Sequence, residues 1–587
     1  MTFKMVLPDL LCEKNVKSGL RLLHEGEITL MNATAVSENH EVRCSPLAML
    51  YHWESHRPDD VYLIQPVEGR YREYTFAEVA DLARRVAYQL QAMALPAGSR
   101  VGLFAKNCAE WFIVDLGIMM AGHISVPVFA SAGSDTLNYV IRHADIQVLF
   151  VGKLDNPSAQ LPAIPADLPT VALPYPNLPM ERQWDTFIDC PAIDASPDRD
   201  LDDIMTIIYT SGSTGEPKGV VHSFKTVCWA AANSLDSLTF SQTDRMMSYL
   251  PLAHITERVL VELASCYAGG KIYFVESLET FQRDVQYCQP TLFISVPRLW
   301  TKFQHGILAK MSQRKLSVLL KIPFVSGMVK KKIQVGLGLR EARLLASGSA
   351  PLAPSIIAWF NAIGVNISEG WGMTENCAYG TACVPFRKDK IGKIGKPYPG
   401  VDIRVADDGE IQVKSPCNMV SYYLDPGKTA EAFTSDGYLR TGDKGEKDED
   451  GYIAITGRLK DIFKTEKGKY VTPAPIEARI MENDAVEQVC VVGTGLPQPI
   501  ALVVLGEEAL KQPRADLTTR LLSTLDALNS CLESHQKLDR IVVVDEEWTI
   551  ENDMLTPTLK VKRHVLESRY KSIILAQYDA KVEWVSM

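Results

Sequence analysis

Ile207 to Ser223 reads IIYTSGSTGEPKGVVHS. The apolar run Ile204–Tyr209 leading into it has the composition of a strand and ends in a loop of hydroxyls and glycines. Thr210, Ser211, Ser213 and Thr214 supply hydroxyl donors there, while Gly212, Gly215 and Gly219 let backbone N–H groups approach a ligand closely. Lys218 adds a positive charge behind Pro217, and Val220–Val221 resumes an apolar strand. A strand, a donor-rich loop with one lysine and a second strand make a grip for a polyphosphate. No G-x-x-x-x-G-K-[ST] can be drawn through the loop, so it is not a Walker A sequence. The plain alternative is a Gly/Ser surface turn, which seldom gathers four hydroxyls, three glycines and a lysine.

At these residues the chain resembles the adenylate-forming (AMP-binding) superfamily, which includes acyl-CoA synthetases, firefly luciferase and peptide-synthetase adenylation domains. Further segments match the same superfamily in order, and together they span Tyr209 to Arg563. Ser368–Glu375, SEGWGMTE, is similar to the segment that carries tyrosine where Trp371 stands. The resemblance assigns Trp371 and Gly372 to the adenine side, Thr374 to the α-phosphate, and Glu375 with Thr214 to Mg²⁺. A flat apolar face suits adenine, and a carboxylate oxygen suits a hard cation. Tryptophan keeps the face and lacks the hydroxyl, which leaves open whether that position makes a hydrogen bond. Gly348, Ser349, Ala350 and Pro351 resemble the segment along the nucleoside; alone they read only as a turn. Asp443 matches the aspartate that accepts from ribose hydroxyls, and Arg458 the arginine that assists it. His254, in Tyr249–His254, would sit beside the substrate carboxylate and orient it. Otherwise it is a structural residue opening an apolar helix. Lys560, in Thr556–Arg563, falls on the position of the catalytic lysine, with Lys562 as its near competitor.

Phe463–Pro473, FKTEKGKYVTP, narrows the resemblance to long-chain fatty-acyl-CoA synthetases and sets Gly468 where backbone meets the thiol channel of coenzyme A. Lys321–Leu339, KIPFVSGMVKKKIQVGLGL, reads either as a peripheral membrane contact or as a charged solvated helix.

Composition sets the bounds. A chain of 587 residues exceeds a single core, so a large domain and a smaller one are expected. A net charge of −10 argues against bulk capture of nucleic acid, so anionic substrates must be held by local groups. The 12 cysteines show no C-x-x-C and read as reduced thiols of a cytoplasmic enzyme. The N-terminus lacks a secretory pattern, and Trp111–Ala130 carries Asp115, His123 and Pro127, which argues for a buried helix and strand over a membrane span.

Thr75–Glu78 form a capping box before Val79, Leu82, Val86 and Leu90 at helical spacing. Strands at Val101–Phe104, Ile124–Phe129 and Gln147–Val151 alternate with helices over Ala109–Ala121 and through Asn138–His143, the pattern of a parallel α/β sheet. The proline-rich residues 153–200 read as a surface excursion. Past Gly457 come short strands at Val489–Val492, Ala501–Leu505 and Ile541–Val544 and a helix near Thr518–Cys531, a separate α+β unit.

The expected organisation is an N-terminal extension (1–45, a tail or a cap), an AMP- and acyl-binding α/β domain of parallel or mixed sheets (46–457), and a small mobile α+β domain with the catalytic lysine (458–587). The resemblance implies ATP, Mg²⁺, coenzyme A and a fatty acid as reactants, and it puts Lys460 at the hinge of the small domain's rotation. Loading a carrier protein, activating a medium-chain or aryl acid, or sensing a nucleotide without catalysis are the competing readings. A sensor would be expected to have lost one of Glu375, Asp443, Arg458 and Lys560. A homodimer is left open.

Overall fold

The computed structural model describes residues 44–210, 216–550, 552–556, 560–578 and 580–586. The expected extension is therefore described only from Cys44. Ser211, Gly212, Ser213, Thr214 and Gly215 lie outside the described residues, as do Pro557, Thr558 and Leu559.

The central sheet has eight strands. Arg100–Phe104 lies between Ile124–Val128 and Ile146–Val151, all parallel, as the alternation of strand and helix predicts. Ile204–Thr210 joins beside Ile124–Val128 and turns back antiparallel as Lys218–Ser223, with Thr210 opposite Lys218. The quoted residues between Thr210 and Lys218 connect these two antiparallel strands. Ser421–Tyr422 adds to the outer side of Lys218–Ser223.

One sequence expectation needs correction. Residues 153–200 are more than a surface excursion, because Thr170–Ala172 and Arg182–Gln183 extend the central sheet, and Trp184 and Phe187 are buried against it. Prolines masked two short strands whose registers are set by their neighbours.

The capping box at Thr75 is present with both bonds: Glu78 N–H donates to Thr75 Oγ1 at 3.2 Å, and Thr75 N–H to Glu78 Oε2 at 2.8 Å. It starts the helix Phe76–Ala92, whose apolar face packs on the wholly buried helix Ala109–Met120. Asp115, in that helix, is fully buried and accepts two hydrogen bonds of 2.7 Å from the Arg258 guanidinium.

A five-stranded sheet runs Leu292–Ser295, Leu344–Ser347, Ile367–Trp371, Thr381–Ala382 and Lys396–Pro397. A four-stranded sheet carries Leu439–Lys447 and Ile453–Arg458 as an antiparallel pair. Beyond Arg458 the chain builds a second core, with Val486–Val492, Ile500–Leu505, Ile541–Val544 and Val582–Val585 in one sheet against the helix Arg514–Cys531. The fold is a large N-terminal α/β domain followed by a C-terminal α+β domain.

Candidate active site

Several stretches of chain bring polar groups together. Thr210 and Lys218 mark the two ends of the hairpin loop. Trp371 ends its strand and enters the turn that carries Thr374 and Glu375. Gly372 is required there by contact: a Cβ would stand 2.5 Å from the Ala378 backbone. Gly348 to Pro351 follow the strand Leu344–Ser347, and a Cβ on Gly348 would meet the Gly370 carbonyl at 3.4 Å, so this segment runs alongside Trp371's strand.

Asp443 and Arg458 face each other across their strand pair, with Arg458 Nε 2.8 Å from Asp443 Oδ1. The other carboxylate oxygen accepts from Trp371 Nε1–H at 2.9 Å. The sequence left open whether tryptophan makes a hydrogen bond here, and the structure supplies one. The indole N–H takes over the donor role, and Asp443 is held at both oxygens while each retains a lone pair for a ligand.

Glu375 Oε1 accepts from the Tyr422 hydroxyl at 2.8 Å, and Lys218 Nζ lies 4.8 Å above the same ring. Tyr422 therefore ties the metal-candidate carboxylate to the hairpin lysine. Among the described residues no three His, Cys, Asp or Glu side chains gather as a metal site. A lone carboxylate such as Glu375 is the protein donor that a hard cation accompanied by phosphate oxygens would take.

His222, fully buried on the strand after the loop, donates from Nε2 to the Thr374 carbonyl at 2.8 Å. Its Nδ1 is 3.1 Å from Thr226 Oγ1 and 3.3 Å from Cys377 Sγ. Burial lowers its pKa to about 4, so the ring is neutral and the donor assignment holds across ordinary pH. It clamps the hairpin to the Thr374–Glu375 turn. Neither His222 nor Tyr422 stood out in sequence, because each acts through a partner more than 40 residues away in the chain.

His254 caps the helix Ile255–Glu257, with Nδ1 accepting from Thr256 N–H at 3.3 Å, which leaves the proton on Nε2. The helix continues through Arg258–Leu263 in a widened i→i+5 turn, a distortion common at functional sites. Burial, then the neighbouring Lys560 charge, lowers the His254 pKa to about 4. A neutral imidazole there donates a hydrogen bond without adding charge.

Lys560 lies at the end of the segment bridged by Leu555 and Val561. Desolvation lowers its pKa to about 8, followed by the Arg458 charge, while Asp443 and Glu375 oppose the shift. Solvent still reaches the side chain, which moderates the desolvation. Its competitor Lys562 is paired with Asp553. Lys460, in the turn after Arg458, repels Lys218 and helps lower that lysine's pKa after desolvation. Gly468 stands apart, in the exposed turn of the hairpin Phe463–Val471 with φ +76°.

Residues 50–423 match the family of AMP-binding enzymes, and 460–582 match the AMP-binding enzyme C-terminal domain. A long-chain-fatty-acid–CoA ligase, FadD15 of Mycobacterium bovis, is 29% identical, covering 91% of this chain and 96% of the relative. Fatty acyl-CoA synthetase A of Dictyostelium discoideum is 30% identical, over 87% of this chain and 86% of its own. The solved anthranilate CoA ligase AuaEII, in complex with anthranoyl-AMP, superposes with a TM-score of 0.74 at 23% identity, over 91% of this chain and 98% of that one.

Proposed function

The chain belongs to the family of AMP-binding enzymes, and from that premise we propose that it activates a long-chain fatty acid with ATP and passes the acyl group to coenzyme A. Its class is that of an adenylate-forming acid–thiol ligase. The long-chain assignment is drawn from the FKTEKGKYVTP segment and from the named activities of the relatives. The observation that carries the chemistry is the Asp443 carboxylate held at one oxygen by Trp371 Nε1–H and at the other by Arg458 Nε, with Glu375, in the turn after Trp371, linked through Tyr422 to Lys218.

A carboxylate acylates poorly because its leaving group would be oxide. In the first step a carboxylate oxygen bonds to the α-phosphorus of ATP, and the bond to pyrophosphate breaks. Charge on the transferring group must be balanced, so positioning and electrostatics carry the catalysis. His254 Nε2–H orients the acid. Trp371 presents its face to adenine, Asp443 and Arg458 hold the ribose, and Lys218 and Lys560 supply positive charge to the phosphates. Mg²⁺, held by Glu375, with Thr214 as the second assigned ligand, would neutralise phosphate oxygens. In the second step the CoA thiol attacks the acyl carbon and AMP leaves. We take residues 46–457 as the AMP- and acyl-binding domain and 458–587 as the part that moves between the two steps.

ATP–pyrophosphate exchange measured over acids of increasing chain length tests the reading. Exchange should be greatest in the range of about C12–C18 that the family resemblance implies, and CoA should discharge the adenylate. An adenylate that CoA leaves intact points to a carrier protein as acceptor, and a maximum at aryl or shorter acids removes the long-chain assignment.

The lysine predicts a pH limb. Below pH 8 Lys560 carries its ammonium charge, and above it the charge is lost, so kcat/KM for ATP should fall as pH rises through about 8. Bound polyphosphate favours the charged form, so the matching limb in kcat should lie at higher pH. Lys560→Arg keeps its charge throughout this range and should remove the limb from kcat/KM, whatever activity it retains. An unchanged profile would take the titration away from Lys560.

A further inference from the structure

Residues 285–340 contain ten Lys or Arg and no Asp or Glu, in a chain whose net charge is −10. Much of this stretch forms the consecutive helices Gln313–Lys321 and Val325–Leu337. Leu316 and Leu337 anchor the pair to a core shared with Phe293, Trp300 and Leu345, so the hairpin is fastened to the lobe that presents Gly348–Pro351. The turn between the helices faces outward. Among the described residues Phe324 is 92% exposed and Met328 64%, with Val318 and Ile322 also exposed beside them.

Phe324 is held there against its own backbone preference. It has φ +66° and ψ −45°, and Val325 N–H donates to the Pro323 carbonyl across it at 2.8 Å, a three-residue turn that is rare and strained. A bulky residue at positive φ is an outlier that points to function when its side chain has no structural task. Lys321, Lys331 and Lys332 are exposed near this tip and Lys330 half-buried, with no carboxylate in the stretch to neutralise them. A merely solvated helix has no use for an exposed phenylalanine and methionine at its tip. A symmetric dimer through this surface would set like charges against each other.

We propose that the hairpin Gln313–Leu337 docks on an anionic phospholipid bilayer. Ile322, Phe324 and Met328 enter the boundary between headgroups and acyl chains, and Lys321 and Lys330 to Lys332 lie against lipid phosphates. Binding is read without substrate, so the inference stands or falls apart from the catalytic reading.

The test is co-sedimentation of the full chain with vesicles of phosphatidylcholine alone and of an equal mixture with phosphatidylglycerol. The mixed vesicles should carry the protein down, phosphatidylcholine should not, and added salt should release it. Phe324→Gly removes the wedge and suits the positive φ, so its Tm should not fall; Lys330→Gln/Lys331→Gln/Lys332→Gln removes charge from a solvent-facing stretch. Each should lower the partition coefficient on mixed vesicles roughly fivefold or more. Parent-like binding by both variants overturns the proposal. So does failure of the parent to sediment with mixed vesicles, including the case where light scattering finds a dimer that Phe324→Gly dissolves.

Discussion

Lys560→Ala is expected to abolish formation of acyl-adenylate from acid and ATP, by about a thousandfold or more, while synthetic acyl-AMP still reacts with CoA. Loss of one preorganised charge at a developing anion typically costs on the order of 10²–10³ in rate. Lys560 stands at the upper end because it is near both partners of the first step: the His254 side, where the acid is read to lie, and the Asp443–Glu375 side, where the nucleotide is. The second step forms no bond to phosphorus and has no comparable need for it. Lys460→Pro is expected to do the reverse, because it restricts φ in the turn through which the chain leaves the strand Ile453–Arg458. On the proposed reading, adenylation uses the arrangement seen here, whereas thiol transfer would use a C-terminal domain turned to bring Gly468 inward from its exposed hairpin. Single-turnover assays, begun from acid plus ATP and separately from acyl-AMP, decide it. If both variants lose both steps equally, the two domains do not alternate and the division of labour is wrong.

The features legible in the sequence were those fixed by local chemistry. Apolar runs between helical periods located Arg100–Phe104 and Ile146–Val151 to within a residue, and the T-F-A-E box located a helix start. Trp371, Asp443 and Arg458 were visible because each sits in a recognisable segment. Their mutual bonds were not, since register across a strand pair and the indole's direction are tertiary facts. Tyr422 and His222 were missed for the same reason: a tyrosine in SYYL and a histidine after two valines carry no local signal of a partner far along the chain. Thr170–Ala172 was hidden differently, as three residues among prolines are too few to show alternation. Asp115 lies between these cases. Its place in an apolar helix was plain, and the arginine that makes that place tolerable follows 143 residues later.

That arginine sets the largest expected effect on stability. Asp115→Ala should cost roughly 3–5 kcal/mol, since it leaves the fully buried Arg258 guanidinium without its bidentate partner. The same guanidinium donates to Thr206 Oγ1 at 2.6 Å, and Thr206 donates to the Ser125 carbonyl at 2.8 Å. The pair therefore braces the strand that feeds the hairpin loop and the helix that begins beside His254. Glu262 modulates the result. Burial, then the charge of Asp115, holds its carboxyl well above the usual range, so it is neutral although Oε2 is 3.7 Å from Arg258 Nε. Removing Asp115 takes away that repulsion, and Glu262 can then ionise and compensate in part. Three consequences can be measured by chemical denaturation. Glu262→Gln alone should be close to neutral. The deficit of Asp115→Ala relative to the parent should shrink as pH rises, because in the variant the replacement anion forms on losing a proton whereas in the parent Glu262 stays protonated in the fold. The double variant should lose more than the sum of the two singles, a coupling that only a shared guanidinium explains. An Asp115→Ala protein within about 1 kcal/mol of the parent would mean that Arg258 finds another partner or water, and that the buried pair is not what holds this part of the site in place.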